Sequence, residues 1–178
     1  TQMADITEAQ WDEVMGVNLK GVWLCMKYQI PAMLANGGGA IVNVASSAAF
    51  IGESYAAAYC STKWGLVGMT KAMAMEYVHQ NIRINAVAPG GMMTNIASNI
   101  SFPADADRSL VTRYSGLRGL VEVADVADMI CLLASPAGRG SDWATLQRLF
   151  PYLWRYKWRV VAALAFMVGA KVANVGVP

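Results

Sequence analysis

The chain has 178 residues, a length for one domain, and its formal net charge of +2 at pH 7 is too small to argue for a nucleic-acid partner. It is 56% hydrophobic and only 15% charged, where about 25% charged is usual for a soluble domain. The three cysteines, Cys25, Cys60 and Cys131, are odd in number, far apart and without a Cys-x-x-Cys pair, which argues against a zinc site or a disulfide framework and fits a reducing compartment.

The first element is a helix. Thr7-Glu8-Ala9-Gln10 has the form of a capping box, in which the Thr7 hydroxyl and the Gln10 amide each bond the other's backbone N–H. Trp11, Val14, Met15, Leu19, Val22 and Met26 then recur at steps of three and four, the spacing of one helix face. Asn18 falls inside this helix, Pro31 kinks its end and Gly37-Gly38-Gly39 stops it. The glycine triplet follows a helix and precedes a strand, the reverse of a dinucleotide-binding turn, so it reads as a plain stop. Ala40 to Ala45 is a short apolar run of the kind that forms a buried parallel strand.

A helix rich in Ala and Met, good helix formers, is predicted from about Tyr55 to Val78 and ends at Asn81. Ile82 to Val87 is the next strand, and Pro89-Gly90 breaks the ladder because proline has no N–H to give. Residues 95–117 read as polar and irregular, and Val121 to Ala134 as a further helix. His79, the one histidine, reads as a solvated helix end, and Met69, Met73 and Met75 as core or subunit contact.

Chemistry concentrates between Ser46 and Lys63. Tyr59 and Lys63 are four residues apart and share a helix face. A phenol titrates near ~10 in water, and a nearby ammonium favours its ionised form, so such a pair can exchange a proton with an alcohol or a carbonyl. Ser46, at the end of the first strand, can hold the substrate oxygen beside it. Taken alone, Tyr-x-x-x-Lys occurs on many helices whose lysine is merely on the surface. Its context is Asn18 in Val17-Asn18-Leu19-Lys20-Gly21, Ile41-Val42-Asn43-Val44-Ala45-Ser46 leading in, and Asn85-Ala86-Val87-Ala88-Pro89-Gly90-Gly91-Met92-Met93-Thr94 following.

Over residues 5–138 these segments resemble the short-chain dehydrogenase/reductase family. The resemblance implies an α/β fold, a truncated Rossmann-like doubly wound parallel sheet. It implies NAD or NADP as cofactor and an alcohol or ketone as substrate. Tyr59 would be the general acid/base, Lys63 would tune it and hold the nicotinamide ribose, Ser46 would bind the reacting oxygen and Asn18 would order a water. Tyr59, Lys63, Pro89, Gly90 and Thr94 would contact the cofactor, though Thr94 can equally cap a following helix. No metal is implied. The helices bearing Asn18 and Tyr59 would pair with a second copy, giving a homo-oligomer. The family's glycine-rich Thr-Gly-x-x-x-Gly-x-Gly turn, which brings the pyrophosphate to a helix N-terminus, and its last strand do not occur in this sequence. The chain therefore reads as a fragment, starting at Thr1 without a signal peptide, and impaired as an enzyme.

Beyond residue 138 the composition changes, so that the chain divides into a catalytic part, 1–138, and a tail, 139–178. Trp154, Tyr156 and Trp158 interleave with Arg155, Lys157 and Arg159, and Val160 to Ala170 follows without a charge. Such a flank before an apolar run is how a membrane helix begins, although Val160 to Val177 falls just short of the ~20 residues a span needs. Residues 143–178 resemble the start of an ABC exporter permease of the mitochondrial iron–sulfur or heavy-metal type. The expectation is membrane contact through 154–177 with the catalytic part in the cytoplasm. The alternatives are a buried C-terminal helix, an exporter fragment with a passenger enzyme segment, and an inactive oligomerisation module.

Overall fold

The computed structural model describes residues 2–95, 102–112 and 119–136. Thr1–Ser135 forms one compact unit, and the remainder, Pro136–Pro178, is a second unit. The sequence expectations for the tail, including its apolar helix, lie outside the described residues. Among the described residues no helix is long and apolar enough to cross a membrane.

Helix α1 (Glu8–Met15) opens on the expected capping box, with the Thr7 hydroxyl accepting the Gln10 N–H and the Gln10 side chain accepting the Thr7 N–H. The single helix expected through Asn18 is interrupted. Residues Gly16–Lys20 form a wide π-turn in which the Gly21 N–H reaches back five residues to the Gly16 carbonyl. Helix α2 (Gly21–Ala35) resumes and carries Pro31 within it. Its end is tied by the Gly38 N–H to the Met33 carbonyl at 2.8 Å, so the glycines do stop the helix.

Strand β1 (Gly39–Val44) and strand β2 (Ile82–Val87) pair in parallel, with Ile41 opposite Ile84 and Val44 opposite Val87. Parallel strands need a long crossover, here supplied by helix α3 (Ala57–Glu76). The helix starts two residues later than its composition suggests because Tyr55 has φ 64°, outside the right-handed helical region.

Side chains alternate across a strand, and the two faces are used differently. Ile41, Ile82 and Ile84 are buried with Met26 and Ile30 of α2, while Met69 and Met73 of α3 pack against them. A second cluster joins Leu66 of α3 to Ala45 and Ala49 beyond β1. Burying a leucine fully, as at Leu66, stabilises by about 1.5–3 kcal/mol. Of the methionine stripe, Met75 instead faces solvent at 72% exposure.

Arg83 sits between Ile82 and Ile84 and uses the opposite face. Its guanidinium donates to the carbonyls of Leu133 and Ser135 at 2.7 and 2.9 Å, closing the end of helix α5 (Val123–Ala134). The result is a layered arrangement of α2 and α3, the strand pair, and α5. Within the region expected to be irregular, the described residues include a short helix, α4 (Arg108–Thr112). Asp107 starts it by accepting the Ser109 N–H at 2.8 Å, a helix-start role that suits aspartate.

Candidate active site

In open α/β sheets ligands bind beyond the carboxyl ends of the strands. The candidate residues Ser46, Pro89 and Gly90 stand at those ends. Chain order puts the first turn of α3 there as well, because a crossover helix starts where its strand stops.

Tyr59 is the third residue of α3 and is half-buried; Lys63 lies one turn on, also half-buried. The Lys63 ammonium donates to the carbonyl oxygen of Val44 at 2.9 Å and stands 5.5 Å from the centroid of the Tyr59 ring. Burial lowers the Lys63 pKa from its ordinary value, because a charge is costly where water is partly excluded. An ammonium has three N–H donors, so the Val44 bond leaves two others for a diol such as a ribose.

Ser46 is half-buried two residues beyond Val44. Its hydroxyl accepts the Ala48 N–H at 3.2 Å and its carbonyl the Ala49 N–H at 2.9 Å, which fixes a short 3-10 turn at Ser47–Ala49. The Ser47 N–H donates to the Pro89 carbonyl at 2.9 Å, and the Ala45 N–H to the Val87 carbonyl at 2.8 Å. The segments after β1 and β2 are thereby laced together. The loop is tied on its far side as well, where the Val121 N–H donates to the Gly91 carbonyl at 2.8 Å. Thr94 lies half-buried at a bend just beyond.

Asn18 stands on a different element. It is half-buried in the π-turn, which packs against α3. Leu19 beside it lies 3.1 Å from where a Cβ on Gly65 would stand, so a side chain there would press on the leucine. The structure thus joins Lys63 to Tyr59 and to β1, and laces Ser46 to the Pro89 loop. Among the described residues no hydrogen bond joins Ser46 or Asn18 directly to Tyr59.

Two supporting groups escaped the sequence reading. Thr62, fully buried, donates its hydroxyl to the Tyr59 carbonyl at 2.7 Å. Tyr55 accepts the Asp107 N–H at 2.9 Å. The first is legible as a hydroxyl residue three beyond a functional one on a helix. The second spans 52 residues and carries no local signal.

The sequence profile of a family described as enoyl-(acyl carrier protein) reductase matches residues 1–146. A cyclohexanol dehydrogenase from Acinetobacter sp. is 38% identical over 125 residues, 70% of this chain and 47% of that protein. A 3-oxoacyl-[acyl-carrier-protein] reductase from Staphylococcus epidermidis is 35% identical over 128 residues, 72% of this chain and 51% of that protein. The chain therefore spans about half the length of the curated relatives it matches. Among solved structures, a protein assigned as a short-chain alcohol dehydrogenase from Sinorhizobium meliloti superposes with a TM-score of 0.66 at 34% identity, over 76% of this chain and 53% of the other. ElxO with NADP bound gives 0.65 at 30% identity, over 76% and 54%. None of these matches supports the exporter-like reading of residues 143–178.

Proposed function

Because the chain belongs to the short-chain dehydrogenase/reductase family, we propose that residues 1–138 carry the proton-transfer half of an NAD(P)-dependent oxidoreductase acting on a secondary alcohol or its ketone. The observation that carries this reading is the Lys63 ammonium, held by Val44 at the end of β1 and 5.5 Å from the Tyr59 ring. The relatives named for cyclohexanol and 3-oxoacyl groups agree on the reacting carbon, a secondary alcohol or ketone, while differing in what surrounds it.

When bound, the nicotinamide supplies the hydride to a ketone or accepts it from an alcohol. The donor set suits that group: Lys63 offers its remaining N–H bonds to the ribose, and Pro89, Gly90 and Thr94 line the approach. Ser46 holds the substrate oxygen. In reduction Tyr59 gives its phenolic proton to that oxygen; in oxidation it takes the proton back. Lys63 keeps a positive charge beside the tyrosine, and Asn18 orders a water that links the lysine to solvent.

Replacing Tyr59 with Phe tests the reading. Turnover of cyclohexanol should fall by about 10²–10⁴, the usual contribution of a positioned acid/base, while NADPH binding persists. A Tyr59→Phe chain as active as its parent would sink it.

Two further parts belong to this proposal. The partner is a second copy, meeting the elements that bear Asn18 and Tyr59. Those elements, with the start of α2, expose Val17, Trp23 and Trp64 and flank a cavity of about 720 Å³ lined by Met15, Leu19, Gly65 and Met69. Residues 139–178 attach to a membrane and leave the catalytic part on the cytoplasmic side, where their basic and aromatic flank belongs. Carbonate extraction of a reporter fused to 139–178 decides this, and a wholly soluble reporter would refute attachment.

A further inference from the structure

Tyr55 combines a left-handed backbone with a hydrogen bond to a residue 52 positions further along the chain. It is the third residue of a four-residue turn closed by the Ala56 N–H to the Glu53 carbonyl at 3.3 Å. Its φ of 64° is one that a bulky side chain rarely adopts, and turns with a positive φ at this position ordinarily use glycine. Asn81, the other non-glycine residue with positive φ among those described, belongs to a type that tolerates the region. Tyr55 does not, so something beyond local geometry must hold it there.

The half-buried Tyr55 supplies a reason. Its hydroxyl accepts the backbone N–H of Asp107 at 2.9 Å. Asp107 is the residue from which α4 springs: its carboxylate accepts the Ser109 N–H and its carbonyl the Leu110 N–H at 3.1 Å. The Asp107 N–H itself is spent on Tyr55. One phenol therefore fixes the start of α4 to the turn that launches α3, four residues before Tyr59. Glycine would suit the turn but has no hydroxyl to reach with.

We propose that Tyr55 is a positioning residue, one that anchors residues 102–112 at the Tyr59 end of α3 and so sets how tightly the site grips its alcohol or ketone. The part concerning grip rests on the oxidoreductase reading above; the anchoring does not.

The test uses the full chain with Tyr55→Phe, which keeps the ring and loses the acceptor, and Tyr55→Gly, which also relaxes the turn. Amide hydrogen exchange is followed in the peptides covering 102–112, beside cyclohexanol kinetics with NADP at high protein concentration. Losing one such bond should speed exchange of the Asp107 amide and α4 by about fivefold in both variants. Exchange in β1 and β2 should not change. KM for cyclohexanol should rise more than kcat falls, the reverse of Tyr59→Phe. Unchanged exchange over 102–112 in both variants overturns the anchoring. Faster exchange with an unmoved KM overturns the link to grip. Faster exchange with no turnover in any variant, the parent included, upholds the anchor and counts against the oxidoreductase reading instead.

Discussion

The side-chain amide of Asn43 donates to the hydroxyl of Thr70 at 2.8 Å, and that hydroxyl donates onward to the Leu66 carbonyl at 2.7 Å. Both residues are almost fully buried, at 6% and 4% exposure. The relay pins β1, one residue from its carboxyl end, to α3, so it holds the crossover helix at a fixed height against the strand. The Sδ of Met26, 3.4 Å from the same amide, is a second and weaker acceptor.

A buried donor left without its main acceptor costs about 1–3 kcal/mol. Thr70→Val should therefore lower stability by that amount in urea unfolding. Replacing both partners, as in Asn43→Leu with Thr70→Val, should recover part of the loss, giving a favourable coupling in the double-mutant cycle. Additive losses would show that the two groups are not energetically linked.

Arg83 gives the second prediction. Its guanidinium satisfies carbonyls at the end of α5 that have no partner within the helix, and a cation there also suits the helix dipole. Arg83→Met should cost about 2 kcal/mol, in the range for hydrogen bonds from a charged donor, and should speed amide exchange in α5 before that in α3. Exchange that rises equally in the two helices would contradict the local role.

The third prediction concerns pH. Burial lowers the Lys63 pKa in the folded chain below the ordinary 10.5. Between those two values the unfolded chain binds more protons at this position, so stability rises with pH across that window. Below the folded value both states are protonated and the full cost of burying the charge is present. Relative to Lys63→Met, the parent chain should gain stability as pH climbs from neutral toward 10.5. Unfolding curves recorded at stepped pH would show it, and a difference that stays flat would mean that the ammonium is solvated in the folded chain.

A fourth prediction contrasts two neighbouring glycines. Gly38 has φ 136°, and a Cβ there would lie 2.4 Å from the Asn81 carbonyl oxygen. Gly37 has φ 77° with nothing within 4 Å of its Cβ position. Gly37→Ala should cost about 1–2 kcal/mol, the left-handed penalty alone. Gly38→Ala must also push Asn81 away, breaking the Gly39 N–H bond to Asn81 at 3.1 Å, and should cost at least about 3 kcal/mol. Equal melting temperatures would refute the contact.

These features differ in how far they can be read before folding. Strand β2 is legible to the residue, because Asn81 and Pro89 bracket an alternating apolar run. The helix start at Thr7 is legible because a capping box is purely local. The lysine four residues beyond Tyr59 is visible as well, but its bond to Val44 is not, since it depends on α3 crossing the end of β1. The turn before α3 was hidden by its own chemistry, with tyrosine standing where glycine would have announced it. The π-turn at Gly16–Lys20 left no trace, because a hydrogen bond that slips from four residues to five changes no side chain.

That slipped bond has a rotational consequence. An α-helix advances about 100° per residue, so one residue absorbed in the wide turn swivels everything after it by roughly that angle relative to what came before. Ahead of the turn, α1 leans on α3; behind it, α2 leans on β1. A single rod thus serves two walls of the same room. Deleting the exposed Val17 would restore an unbroken spiral and turn Met26 and Ile30 out of the core while α1 kept its seat.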